Sequence, residues 1–246
     1  MTARQPTSVQ AVLPNHHPSD ALLVAYGAGS LAEGLSLAVA VHLAHCQDCR
    51  AALAEVEALG GALLEELPPS PLESLSLTAT LARLDLEEAP ANPCKAGCAG
   101  PLWGSRRPAR PGVRNGKALP SPLRPYVSQA TDLDGLTWQR LAPGVRRVEL
   151  MPRSAAGGAA QLLRIAPGTA LPHHSHGGLE LTVVLSGHFA DELGRYGPGD
   201  LAEVDGDTDH QPIADSHRDC ICLIATDAPL RFTGLMGRLM QPFIGL

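Results

Sequence analysis

The apolar positions of this 246-residue chain change their period once along its length. From Leu31 to Leu86 the residues are mostly Leu, Ala and Glu with few β-branched side chains, a composition that favours helix. Ser19 or Asp20, following Pro18, can cap a short helix through Tyr26, which Gly27 and Gly29 then end. The pattern predicts a second helix over about 33–44 and a third over about 48–67, stopped by Pro68 and Pro69. A fourth, over about 72–86, carries Leu72, Leu75, Leu77, Leu81 and Leu84 as a mostly helical apolar stripe. Beyond Pro125 the pattern becomes short apolar runs, such as Ala159–Ile165, Leu179–Leu185 and Cys220–Ala225, separated by Gly, Pro and Asp. Turn signals at this spacing predict an all-β sandwich or barrel. Between the two, Glu88–Pro125 is rich in Pro, Gly and Arg and has no apolar periodicity, which predicts a linker. The expected fold class is multidomain α plus all-β: a small helical bundle over 15–88, a basic linker over 89–125 and a β domain over 126–246.

Hydrophobic residues make up 44% of the chain, enough to bury real cores, and aromatics only 3%. The net charge of −6 divides unevenly: −8 over 1–90, +7 over 91–125 and −5 over 126–246. An acidic chain argues against nucleic-acid binding through a basic surface, and its one basic segment has no predicted helix or strand to enter a groove. No direct nucleic-acid partner is therefore expected. An acidic helical domain suits a basic protein surface. No apolar run reaches the roughly 18–20 residues of a membrane span, so no membrane partner is expected. The opening MTARQPTSVQ lacks the layout of a signal peptide, and the expected compartment is the cytoplasm. There, the six cysteines point to metal or redox chemistry rather than a disulfide scaffold.

His42-x3-Cys46-x2-Cys49 is the strongest signal in the first half. Four apart on a helix, His42 and Cys46 share a face, and Cys49 can reach the same ion near a helix end. Imidazole and thiolate donors at this spacing suit Zn2+ in a closed tetrahedral site, with a fourth ligand drawn from His16, His17 or His45. His45, next to Cys46, points off the ligand face. Two other readings of the cysteines stand beside this one: a redox pair, although no βαβ pattern surrounds them, or plain core thiols.

The second half carries Gly168-x5-His174-x-His176-x3-Glu180-x6-Gly187. Alternate residues of a strand face the same way, so His174 and His176 can both point inward, and Glu180 can join that face across a bend. The turn Gly197-Pro-Gly-Asp200 precedes His210. Three imidazoles and a carboxylate suit Zn, Mn, Fe or Ni. His173 must face away from His174, and His188 and His217 carry no spacing signal. Cys220 and Cys222 share one face of a strand, either inward near the metal or as ordinary buried thiols. Cys94 and Cys98 sit in the linker without an assigned role.

These residues carry two family resemblances. The His174–Glu180 stretch has every fixed position of the first cupin motif; the second motif is looser, matching at the Pro-Gly-Asp turn and His210. The His-x3-Cys-x2-Cys element with a His upstream resembles the zinc-binding anti-sigma domain, and His16–Leu31 resembles the start of its ChrR-type members. The resemblance implies that Zn2+ is held by His17, His42, Cys46 and Cys49, and that the helices wedge between the promoter-reading domains of an extracytoplasmic-function sigma factor. For the second half it implies a jelly-roll cupin barrel holding Zn2+ or another divalent transition metal on His174, His176, Glu180 and His210. The order of the parts, Asp219–Phe232 and the ending Gln241-Pro-Phe243 are also similar to the ChrR-type anti-sigma factors of the singlet-oxygen response. The likeness covers 15–88 and 125–246, and the basic linker departs from it. The implied function is a cytoplasmic, non-enzymatic anti-sigma factor whose cupin half reports oxidative stress, singlet oxygen or an organic peroxide. The rival is a metal-dependent cupin enzyme, a dioxygenase or isomerase, using the same four ligands. Such an enzyme has no need of the helical domain, and the scarcity of aromatics leaves few candidates for a substrate pocket.

Overall fold

Ser19 caps the first helix, α1 (Asp20–Gly27), its Oγ accepting the Leu22 amide at 3.2 Å. The computed structural model describes residues 13–70, 76–86, 118–127, 130–153 and 158–232. At the far end of α1, Gly29 adopts φ 66°, which lets its amide reach the Tyr26 carbonyl and that of Ser30 the Ala25 carbonyl, both at 3.0 Å. The remaining helices are α2 (Glu33–His45), α3 (Gln47–Glu65) and α4 (Ser76–Leu86). Leu72 and Leu75 of the predicted fourth stripe lie outside the described residues, as does the side chain of Leu84.

Helix α2 buries Leu35, Leu37, Ala38, Val39, Val41, His42 and Leu43, residues that go nearly all the way round its axis. A helix apolar on every side has to be enclosed. It lies against the outer face of the β half on one side, and against α1 and a 3-10 turn at Ser121–Tyr126 on others. Leu119 and Leu123 of the predicted linker are buried in this contact, and Tyr126 donates to Glu33 at 2.8 Å. The rest of the predicted linker, up to residue 117, lies outside the described residues.

The β half is an antiparallel jelly roll, as expected. Its strands are β1 (Gln139–Ala142), β2 (Val145–Met151), β3 (Ala159–Ile165), β4 (His174–His176), β5 (Glu180–Ser186), β6 (Phe189–Ala190), β7 (Arg195–Tyr196), β8 (Leu201–Val204), β9 (Ile213–Ala214), β10 (Cys220–Thr226) and β11 (Leu230–Phe232). One sheet has the order β1-β2-β3-β10-β5-β8, a second β7-β6-β9, and β11 pairs with β4. Strands β3, β5 and β10 are buried on both faces. Leu162, Leu181, Val183 and Leu223 join the helices in one core, while Leu163, Val184, Cys222 and Ile224 fill the interior of the jelly roll. Double burial is why these strands read as continuous apolar runs rather than strict alternation.

The chain forms two compact units. The first takes in the described parts of Met1–Gly60 and Val113–Leu246, so α1, α2, most of α3 and the jelly roll belong together. The second, Gly61–Gly112, contains the end of α3 and α4. There Leu63, Leu64, Leu67, Leu77 and Leu81 are all more than half exposed.

Candidate metal centres

The break between α2 and α3 builds the first cluster. Cys46 leaves the helical path there while its amide still bonds to the His42 carbonyl at 2.9 Å, and Cys49 opens the first turn of α3. His42, one turn back on α2, faces the same point. The extended segment before α1 brings in His17, whose Nδ1 lies 3.4 Å from both Cys46 Sγ and Cys49 Sγ; His42 Nε2 lies 3.3 Å from Cys49 Sγ. Around a tetrahedral ion with Zn–S about 2.3 Å and Zn–N about 2.05 Å, such nitrogen–sulfur edges measure about 3.5 Å. One donor atom from each of the four residues falls within 4.8 Å of the others. His42 Nδ1 donates to the Gly199 carbonyl at 2.8 Å, which leaves Nε2 as the donor toward the cluster. Burial drives the His42 imidazole down to about 4, and burial beside Cys46 pushes the Cys49 thiol up to about 12.

Of the three histidines open for the fourth place, only His17 reaches the sulfurs. His16 turns toward the jelly roll, its Nδ1 3.3 Å from Asp200 and its ring 4.4 Å from that of Tyr196. His45 is exposed and its Nδ1 bonds to the Val41 carbonyl. Cys46 and Cys49 are free thiols, not a disulfide.

The second cluster lies inside the jelly roll. His174 and His210 exchange both backbone hydrogen bonds, each at 3.1 Å, so their side chains stand next to each other on one face. His176, two residues along β4, shares that face, and Glu180 opens β5. His210 Nε2 lies 3.2 Å from both His174 Nε2 and His176 Nε2. With metal–nitrogen distances of about 2.1 Å, that edge falls between the roughly 3.0 Å of a right-angled pair and 3.4 Å of a tetrahedral one. His174 Nδ1 donates to the Pro172 carbonyl and His210 Nδ1 to the Asp191 carboxylate, each at 2.8 Å, and both rings thereby aim Nε2 inward. Glu180 Oε2 and His176 Nδ1 are buried, 3.6 Å apart, and make no hydrogen bond. Burial raises the Glu180 carboxyl to about 7 and lowers His174 and His176 to about 4. A buried carboxylate left in this state, beside imidazole nitrogens that converge, fits a divalent cation.

Beside these donors runs a cavity of about 180 Å³, lined by Leu163, Phe189, Val204 and Ile224 together with His174, Glu180, His210 and Cys222. Cys222 therefore faces the metal-type cluster, with its thiol held well above its usual range by Cys220 and by burial. His173 and His217 are exposed. Cys94 and Cys98 lie outside the described residues. The residues that spacing missed are the supporting ones. Asp191 is a single acidic residue in a turn, with no spacing signal. Asp200 was visible only as part of a turn.

Residues 127–229 match the ChrR cupin-like domain family. The chain is 43% identical over 228 residues to the anti-sigma-E factor ChrR of Cereibacter sphaeroides, covering 93% of this chain and 97% of that protein. It is also similar to a crystal structure of Rhodobacter sphaeroides SigE in complex with the anti-sigma ChrR, with a TM-score of 0.67 and 38% identity over 87% of this chain and 99% of the other. Among the described residues, no helix is long and apolar enough to cross a membrane.

Proposed function

The chain belongs to the ChrR family of anti-sigma factors, and from this premise we propose that it binds and inhibits a sigma factor of the extracytoplasmic-function class in the cytoplasm, acting as a regulator rather than an enzyme. The observation that carries the reading is a family likeness of 43% identity that covers 93% of this chain and 97% of the relative. The work divides by segment: 15–88 binds the sigma factor, 89–125 connects, and 126–246 senses oxidative stress, singlet oxygen or an organic peroxide. His17, His42, Cys46 and Cys49 hold Zn2+ in a closed structural site. A bound zinc supplies folding energy there, about 10–16 kcal/mol of apparent binding in small zinc peptides. His174, His176, Glu180 and His210 hold Zn2+ or another divalent transition metal. The leucines exposed on α3 and α4, among them Leu63, Leu67, Leu77 and Leu81, supply apolar contact for the partner. The acidic charge of 1–90 supplies complementarity to the basic surface of a DNA-reading protein.

The test is to capture the tagged, zinc-loaded protein from its own cells before and after photo-oxidative stress. A sigma factor present before and lost after supports both inhibition and the signal. One retained under stress keeps the inhibitor and discards the signal, and none in either sample overturns the reading. A second reading, a metal-dependent cupin dioxygenase or isomerase, is favoured by the cavity of about 180 Å³ beside the second cluster. Turnover of a diketone or hydroperoxide by the metal-loaded chain would support it.

A further inference from the structure

In the segment before α1, Asn15, His16 and Ser19 are held by polar groups of the jelly roll. Asp200 Oδ1 accepts the amides of Asn15 at 2.6 Å and His16 at 3.1 Å. The other carboxylate oxygen accepts the Gly197 amide at 2.7 Å and lies 3.3 Å from His16 Nδ1. The Leu201 amide donates to the His16 carbonyl at 3.1 Å. Both backbone polar groups of His16 are thus fixed by residues 200 and 201, immediately before His17. Two residues after His17, Ser19 donates from its amide and hydroxyl to Glu203, at 2.8 and 2.9 Å. The neighbouring Gly199 carbonyl accepts a hydrogen bond from His42 Nδ1. Gly199 has φ 94°, and a Cβ there would come within 2.9 Å of Pro14, so the turn needs glycine for its conformation and for this approach.

We propose that Asp200, with the turn it closes, is a positioning residue for the His17–His42–Cys46–Cys49 cluster, so that the jelly roll sets how tightly the helical site holds its metal. Asp200 touches none of the four donors. It acts through the segment that carries His17, while Gly199 beside it orients His42. Strand β8 continues the link. It pairs with β5 at Thr182↔Ala202 and Glu180↔Val204, and Ala202 and Val204 line the cavity beside the second cluster. Alternate residues of a strand face opposite ways, so a four-residue strand has the second cluster on one side and the anchor of the first on the other. A shift of β8 caused at the second cluster is thereby passed to His17.

The inference rests on the zinc reading of the first cluster, and cobalt separates the two. Of the two donor sets only the first includes cysteines, so in a full chain carrying Cys94→Ser, Cys98→Ser, Cys220→Ala and Cys222→Ala, thiolate-to-cobalt charge-transfer bands report that site alone. The experiment titrates Co2+, and Zn2+ against a chromophoric chelator, into the full chain and three variants, with folding checked by circular dichroism. In Asp200→Ala the affinity of the thiolate site is expected to fall about 10–100-fold, the usual effect of losing an outer-shell support. Glu203→Ala, at an exposed contact, is expected to lose less in the same direction. Leu133→Ala, at a buried leucine that lines neither that cavity nor the clamp, is expected to lower stability and leave the charge-transfer titration unchanged. Affinity within about twofold of the parent in both clamp variants overturns the inference, and so does an equal loss in Leu133→Ala. Should Asp200→Ala not fold, Glu203→Ala against Leu133→Ala decides. Absence of thiolate bands in the parent chain removes the zinc reading and the inference with it.

Discussion

Glu180 sits buried beside three imidazoles, its carboxyl raised to about 7, while burial lowers His42, His174 and His176 to about 4 and raises Cys49 to about 12. Every one of these shifts favours the neutral form, because burial strips water from the charged forms and outweighs the partners they keep, such as the Gly199 and Pro172 carbonyls beside His42 and His174. The signs fix how the metal-free chain responds to pH. A histidine whose folded value is depressed contributes stability that is lost as pH falls from its unfolded value, about 6.5, toward 4. Glu180, raised, works the other way over nearly the same window, losing its contribution as pH climbs from about 4 to about 7. Three histidines outweigh one glutamate, so metal-free protein is expected to lose stability as pH drops below about 6.5, and again above about 8.5 where unfolded cysteine ionises. Thermal melts in chelator across that range check this; a midpoint flat from pH 4 to 7 would contradict it. Asp191 tests the support of the second site. Burial opposes its ionisation, but hydrogen bonds from His210, Leu193 and Gly194 outweigh that and hold it below its ordinary value. Asp191→Ala is expected to weaken metal binding at the His174 cluster by about 10–100-fold in a chelator competition, with the thiolate site unaffected. Of the residues that converge in the two clusters, His42, Cys46, Cys49, His174, His176 and Glu180 were legible in the sequence because their spacing follows helix and strand periods, whereas His17 was singled out only by the family resemblance and His210 by the turn before it. Asp191 was not, because its position is set by a turn that returns beside His210 in space, 19 residues away in the chain.

Element by element, the periods read from the chain placed α1, α2 and α3 within a few residues, along with strands β3, β5 and β10. The helix start was legible at Ser19 because a capping oxygen is a local device. What no local pattern disclosed is that α2 and the outer faces of β3, β5 and β10 are two halves of one core. Leu223 belongs to β10 and is fully buried in that core, so its side chain supports the seat of α2 as well as the sheet. Leu223→Ala is expected to cost about 2–5 kcal/mol, as cavities at fully buried leucines do. Denaturant melts of metal-loaded protein measure it, and a loss under about 1 kcal/mol would show that α2 collapses into the space. Residues 118–127 were hidden for a different reason. Pro120, Pro122 and Pro125 give the segment the composition of a linker, yet Leu119 before them and Leu123 among them are buried. Proline excludes an α-helix there without excluding a 3-10 turn that packs.

On the scale of the molecule, a division of labour between helices and jelly roll need not coincide with a division of stability. Helices α1 and α2 fall in the same compact unit as the strands, and their core is continuous with the sheet through Leu162, Leu181, Val183 and Leu223. The clamp of Asp200, Leu201 and Glu203 adds polar contacts across the same boundary. A chain beginning at Val113 keeps all four donors of the second cluster but exposes that leucine and valine face to water. Apolar patches of more than a few hundred Å² are uncommon on monomeric proteins and drive association. The truncated chain is therefore expected to self-associate and to melt lower than the full chain, even when its metal site is loaded. The full metal-loaded chain is expected to carry its helical and β signals through one shared transition in calorimetry and circular dichroism. A monodisperse fragment melting at the full chain's temperature would mean the shared core contributes little. In that case only the polar clamp around Asp200 would remain to link the two clusters, and the Asp200→Ala titration alone would measure how strongly one half of the molecule acts on the other.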